Sequence, residues 1–250
     1  MKYRKLLFLW TFGFFSLVHT TSHLAYADTK KGKRLVIDIS CLDRLYIGTR
    51  SSLEGSIENI TPWPNGLQIS TDSKGTISLK RTTCPDGGFL NIVTAPQIPI
   101  IVQNAGNAAI TIASHLEAPV AVHVGNGPAL LGTAQELDVF SHASGPITIP
   151  LFTTSARIHS TGSAVITIQR VQATALFLFL GGTSRFIAKT GHIKALEIVS
   201  KSSKDAIFHG ESGVTALYVL GKGNITVDTV NGSIATERDG PGKIFYTPIR

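Results

Sequence analysis

Apolar and polar positions alternate along this chain in short bursts, and the bursts recur at a fixed spacing. Between residues 137 and 227 a triplet reading apolar, variable, apolar returns about every 20 residues. Its copies are Leu137-Asp138-Val139, Ala156-Arg157-Ile158, Leu176-Phe177-Leu178, Leu196-Glu197-Ile198 and Leu217-Tyr218-Val219. A second triplet begins ten residues after each of the first four: Ile147-Thr148-Ile149, Ile166-Thr167-Ile168, Phe186-Ile187-Ala188 and Ala206-Ile207-Phe208. Ile225-Thr226-Val227 begins eight residues after the fifth. Alternation with period two is the pattern of a β-strand, whose flanking residues point one way and whose middle residue points the other.

The pattern extends in both directions. The first triplets start at 67, 100, 120, 137, 156, 176, 196, 217 and 236, and from 100 onward they are spaced by 20, 17, 19, 20, 20, 21 and 19 residues. One such unit cannot bury its apolar row alone, so each predicts one coil of a stack. The expected fold is all-β: a single-stranded parallel β-helix, or β-solenoid, with about nine coils of roughly 20 residues. Ala134, Ala173, Ile193 and Val214, each three residues before an anchor, predict a third inward contact and a small triangular cross-section.

The remaining segments fit around this core. Residues 28–66 hold two strand-like stretches and a loop in which Pro62 and Pro64 flank Trp63. They are expected to form a leader and cap over the first coil's open edge, with residues 67–250 as the repeat domain. Residues 1–27 read as a secretory signal. Lys2, Arg4 and Lys5 precede a mostly apolar run over 6–18, and Ala25-Tyr26-Ala27 supplies a cleavage site. The run is too short to span a bilayer comfortably, and no membrane span is expected after cleavage. Cleavage lowers the formal net charge from +7 to +4, because the removed segment carries those three basic residues and no acidic ones.

An exported chain with two cysteines, Cys41 and Cys84, is expected to join them. Unstrained, such a long-loop bond stabilises by roughly 4 kcal/mol. The turns carry Gly145, Gly162, Gly181-Gly182 and Gly221-Lys222-Gly223. Glycine allows the positive φ that tight corners often need. No helix follows any of these turns, which argues against a phosphate-cradling loop.

Gly221-Lys222-Gly223-Asn224-Ile225-Thr226-Val227 and Ala143-Ser144-Gly145-Pro146-Ile147-Thr148-Ile149 resemble the repeated G-x-G-[DN]-[IV]-x-[VIL] unit of the GIN domain family. Gly240-Pro241-Gly242-Lys243-Ile244-Phe245-Tyr246 is similar to that family's closing motif. Residues 55–60 leading to Gly66-Leu67-Gln68-Ile69 match more loosely, so the resemblance spans roughly 34–250. Most turns depart from it, with GPA, GSA or KSSKD in place of GxGD. The family consists of candidate autotransporter adhesin heads, so the resemblance implies an adhesin-like β-solenoid.

Candidate chemistry sits on the outer face. Asp138 and Phe140, Arg157 and His159, Phe177 and Phe179, Glu197 and Val199, and Tyr218 and Leu220 all fall on the outward positions of the first triplets. Phe140, His159, Phe177, Phe179 and Tyr218 form a stripe richer in rings than a solvated face needs, suited to stacking sugar rings, docking a partner or pairing with a second copy. Two alternatives leave it no ligand: a terminal loop or the N-terminal segment covers it, or a shifted register turns it inward. His123, His142, His159, His192 and His209 fall at unmatched offsets, so no metal site is expected. No cofactor is expected either. Basic residues are scattered rather than interleaved with aromatics, which argues against nucleic acid. Asp138, Glu197 and Glu237 share an outward column, and Glu197 and Glu237, two coils apart, are the one carboxylate pair with glycosidase-like spacing. The expected function is an exported binding or structural module of a Gram-negative envelope, periplasmic or extracellular. It would act without catalysis on a cell-surface glycan or envelope protein. The alternative is a carbohydrate-active β-helix enzyme, a polysaccharide lyase or glycoside hydrolase.

Overall fold

A computed structural model describes residues 29–81, 83, 87–113 and 116–249. The expected signal, and Cys84 of the expected Cys41–Cys84 bond, fall outside the described residues. The fold is all-β, and the described residues form 21 strands in one continuous sheet. Its one helical turn among the described residues is Ser51–Leu53.

The sheet winds into a β-solenoid with two long columns of parallel strands. From Ile100–Asn104 the first column runs through Val120–Val124, Glu136–Ser141 and Ser155–Ser160. It continues through the C-terminal halves of Val165–Leu180, Gly191–Ser200 and Ala206–Val219 and ends at Ile234–Arg238. The second column runs from Ala109–Ile112 through Ala129–Leu131, Ile147–Phe152, the start of Val165–Leu180, Arg185–Ala188, the start of Ala206–Val219 and Ile225–Val230 to Ile244–Pro248. A short third face lies between them, where Ala173 pairs with Ile193 and Ile193 with Ser212.

The inward positions of the triplets form the core. Val139, Ile158, Leu178 and Ile198 are fully buried in one ladder, and Ile147, Ile166, Phe186 and Ala206 in another. The core is narrow, so adjacent coils trade volume. Phe186 stacks on Ala206, and Ala188 stacks on Phe208. Two phenylalanines on one rung would overfill an interior already packed to crystal-like density.

The N-terminal end is built out of chain order. Arg34–Ile39 lies between Thr76–Arg81 on one side and Ile100–Asn104 on the other. Arg44–Thr49 likewise lies between Phe89–Thr94 and Ala109–Ile112. Residues 34–49 are thus a coil inside the stack, whereas the sequence pattern assigns 34–66 to a cap. The outermost coil comes from 76–94. Leu67–Thr71, expected as a first-column anchor, instead pairs antiparallel with Thr76–Arg81. Ile77 therefore joins the first column, level with Leu35. Ser56–Asn59 pairs antiparallel with Phe89–Thr94, and Thr29–Lys31 adds outside it. These antiparallel strands occupy the open edge that parallel coils would otherwise present.

One stretch also slips against the expected register. Leu196 pairs with Thr215 and Ile198 with Leu217, so the anchor lies at 215 rather than 217. Val214, expected inside, is 60% exposed, while Ser212 and Thr215 are buried. The two hydroxyls satisfy each other at 2.8 Å, and Thr215 also donates to the Gly213 carbonyl at 2.9 Å. Such a pair fills two inward positions without leaving an unpaired polar group.

Turns stack as regularly as strands. The Asn224 amide donates to Asp205 Oδ1 at 2.8 Å, and the Lys243 amide to Asn224 Oδ1 at 2.9 Å, so recurrent polar turn residues link three coils. Glycine here answers mainly to crowding. A Cβ on Gly223 would lie 1.9 Å from the Lys204 carbonyl oxygen of the coil beneath, at an ordinary φ, whereas Gly182 does adopt a positive φ of 61°.

Ile37 and Ile158 are both fully buried. Truncating either to alanine is expected to cost about 2–5 kcal/mol in urea unfolding. Equal losses follow if 34–49 is a true inner coil, and a much smaller loss at Ile37 is the signature of a peripheral cap.

Candidate functional site

The outward ladder of the first column is set by the same register that builds the core. His123 pairs with Phe140, Phe140 with His159, and His159 with Phe179. Phe179 then pairs with Val199, Val199 with Tyr218, and Tyr218 with Glu237. The slip at Thr215 moves Tyr218 out of the Phe177 ladder, where its triplet position would place it, and into this one. Phe177 stands in the neighbouring ladder between Arg157 and Glu197.

The rings are in contact along the stack. Ring centroids are 5.1 Å apart for His123 and Phe140, 6.3 Å for Phe140 and His159, and 4.5 Å for His159 and Phe179. The last pair is stacked, with 15° between planes. Lys201 Nζ stands 5.9 Å from the centre of the Phe179 ring, within cation–π range. Phe140, His159, Phe177, Phe179 and Tyr218 are each half-buried, and His123 is exposed. Each ring covers part of the next, which leaves a shallow ribbon of ring edges and faces on the surface.

Polar groups flank the ribbon. Arg157 Nε lies 3.4 Å from Asp138 Oδ1 in the adjacent ladder, and both side chains are exposed. An exposed pair of this kind is worth little in stability. His142 sits at the edge, with its ring 6.3 Å from that of His159. Burial against the neighbouring rings lowers the pKa of His159 from its ordinary value, and the nearby His142 lowers it further. Both effects favour the neutral imidazole over the protonated one.

Sequence periodicity puts Phe140, His159 and Phe179 in one ladder and Phe177 in its neighbour, as the structure does, but it puts Tyr218 with Phe177. His123, His142 and Lys201 were not assigned to the stripe. The spacing 123, 140, 159, 179 repeats that of the anchors and was the available signal for His123. Among the described residues no cluster of three or more His, Cys, Asp or Glu side chains is arranged to hold a metal. Glu197 and Glu237 do not share a ladder: Glu197 is level with Ala216, and Glu237 with Tyr218. The register slip that unites the rings separates these carboxylates.

No protein-family model matches the chain, and no curated protein matches it either. Solved structures do. A candidate adhesin from Parabacteroides distasonis is 13% identical, with a TM-score of 0.61 over 88% of this chain and 96% of its own. A candidate adhesin from Parabacteroides merdae is 13% identical, with a TM-score of 0.57 over 90% and 97%. A candidate lipid-binding protein from Parabacteroides distasonis is 14% identical, with a TM-score of 0.50 over 90% and 98%. What they share with this chain is the fold.

In an NMR titration the His159 ring is expected to protonate below its ordinary pKa of 6.5. Phe179→Ala, which opens the ring to water, should raise that midpoint, and His142→Gln should raise it less. The unfolded state holds the extra proton between the two values, so this group's contribution to stability is full above 6.5 and is lost as pH falls from there through the lower folded value.

Proposed function

We propose that this protein is an exported binding module of the bacterial envelope, resembling GIN-type adhesin heads, with its ligand lying along the first-column ribbon. The observation that carries this reading is the continuous ladder His123, Phe140, His159 and Phe179, with ring steps of 4.5 to 6.3 Å. Those steps are close to the length of one pyranose in an extended glycan. A chain of sugars crossing the strands would set successive apolar ring faces over successive aromatic or imidazole rings. Sugar CH groups and aromatic faces match in polarity, while hydroxyl groups remain at the wet edges. The ribbon is flat and prearranged by the stack, so little ordering accompanies binding.

The fold shared with candidate adhesins supports a role in attachment. The charge of the chain without its expected signal is mild, which fits a ligand recognised by shape and stacking. A hydrolytic role is not proposed: inverting and retaining glycosidases both need two carboxylates facing one bond, and the pair expected for that task stands in separate ladders. The stripe of a second copy is the other occupant of the same chemistry, and it would reveal itself as concentration-dependent association.

The test is binding of the purified protein to bacterial cell-wall preparations and a glycan array. Phe140→Ala and Phe179→Ala should each weaken binding about 2- to 10-fold, the scale of a single aromatic contact, with Ile158-type core stability unaffected. Unchanged binding in the double variant refutes the ribbon as the site.

A further inference from the structure

A second surface hollow lies on another part of the molecule, at the N-terminal end of the second column. It has a volume of about 350 Å³ and is lined by Arg44, Tyr46, Thr61, Phe89, Leu90 and Asn91. The out-of-order threading creates it: Arg44 pairs with Phe89 and Tyr46 with Asn91 only because Arg44–Thr49 lies beside Phe89–Thr94. Thr61 comes in from the loop after Ser56–Asn59, the strand that closes the edge of Phe89–Thr94.

Four observations point to a ligand. Phe89 is 57% exposed and Tyr46 38%, whereas Phe140, His159 and Phe179 of the outer ribbon are half-buried. Tyr46 lies across Gly48: a Cβ there would be 3.1 Å from Tyr46 Cε1, so the glycine is what lets this ring lie low on the sheet. The Arg44 guanidinium stands over Phe89, 5.3 Å from the ring centre, and makes no ion pair among the described residues. Asn91 Oδ1 and Thr61 Oγ1 are buried without a hydrogen-bond partner among the described residues. A cation held against an aromatic face beside a low-lying second ring, above two covered polar atoms that lack partners, is an arrangement for one ring-shaped ligand that is apolar on one face and anionic at its rim.

We propose that this hollow binds a hexuronic acid residue of an acidic glycan. The pyranose lies on Tyr46 and Phe89, and its carboxylate meets the Arg44 guanidinium. Arginine suits the task because its planar fork pairs with a carboxylate through two parallel hydrogen bonds while its own face remains stacked. The site is separate from the ribbon of the first column and does not depend on it.

The test compares two probes with one backbone: cellotetraose, and the same β-1,4-linked tetramer with every C6 oxidised to a carboxylate. Titration calorimetry on the purified protein should show the acidic tetramer binding at least tenfold more tightly, with NMR shifts centred on the Tyr46 and Phe89 rings. Arg44→Gln should abolish the preference. Phe89→Ala should weaken binding of the acidic tetramer, and Phe140→Ala/Phe179→Ala should leave it unchanged. Arg44 and Phe89 are both exposed, so these variants should keep the parent's thermal midpoint. Equal affinity for the two tetramers, no binding of either, or a preference that survives Arg44→Gln would each overturn the proposal. Loss of acidic-tetramer binding in the ribbon double variant would also overturn it, by moving the site to the first column.

Discussion

Coil-on-coil registry governs this molecule. Every strand in the two columns except the last of each is hydrogen-bonded to the coils on either side, so a position in one coil meets its equivalents above and below. That constraint fills the core in ladders and makes neighbours compensate in volume, as Phe186 and Ala206 do against Ala188 and Phe208. It brings backbone within 2 Å of where a side chain would begin at Gly223. It also makes turn residues repeat, because an Asx side chain in one turn accepts the amide of the next. Stability accumulates between coils rather than within them, as for any quasi-one-dimensional stack.

The same registry builds the outer ribbon at no extra cost in structure. Once Val139, Ile158, Leu178 and Ile198 are fixed inside, the next residue of each strand must face out and must line up with its neighbours. Phe140, His159 and Phe179 are in contact for that reason, and the low pKa of His159 follows from their contact. The slip at Thr215 extends the logic. By shifting the last coils two residues, it places Tyr218 in line with Phe179 and removes Glu237 from the line of Glu197. A buried hydroxyl pair, Ser212 and Thr215, therefore decides what chemistry the surface can present.

Much of this was legible in the sequence, for a definite reason. Period-two triplets repeated at coil spacing can hardly arise except by stacking, so the solenoid, its inward ladders and its outward rings could all be read from residues 100 to 208. Reading failed where the signal is not apolar. Ser212 and Thr215 occupy core positions that a hydrophobic pattern cannot find, since only their mutual hydrogen bond makes them compatible with burial. It failed again where spatial order departs from chain order. Leu67-Gln68-Ile69 has the form of an anchor triplet, yet nothing local distinguishes a parallel rung from the arm of an antiparallel hairpin with 76–81. Strand Arg34–Ile39 likewise carries no mark showing that it is inserted between later segments.

That insertion shapes both folding and surface at the N-terminal end. The coil of 34–49 is held between 76–94 and 100–112, so its two faces cannot both be paired until residue 112 is in place. Contacts of such sequence separation close a long loop before they return any burial, which makes this end the slow and most entropically costly part of the stack. A chain-ordered solenoid would avoid that cost. What the threaded arrangement provides instead is a pair of antiparallel strands over the exposed edge and a junction where residues 45 apart in sequence, Arg44 and Phe89, stand side by side. The repeating coils make surfaces that are extended and uniform along the axis. The break in their order adds a hollow lined by a cation and two exposed rings.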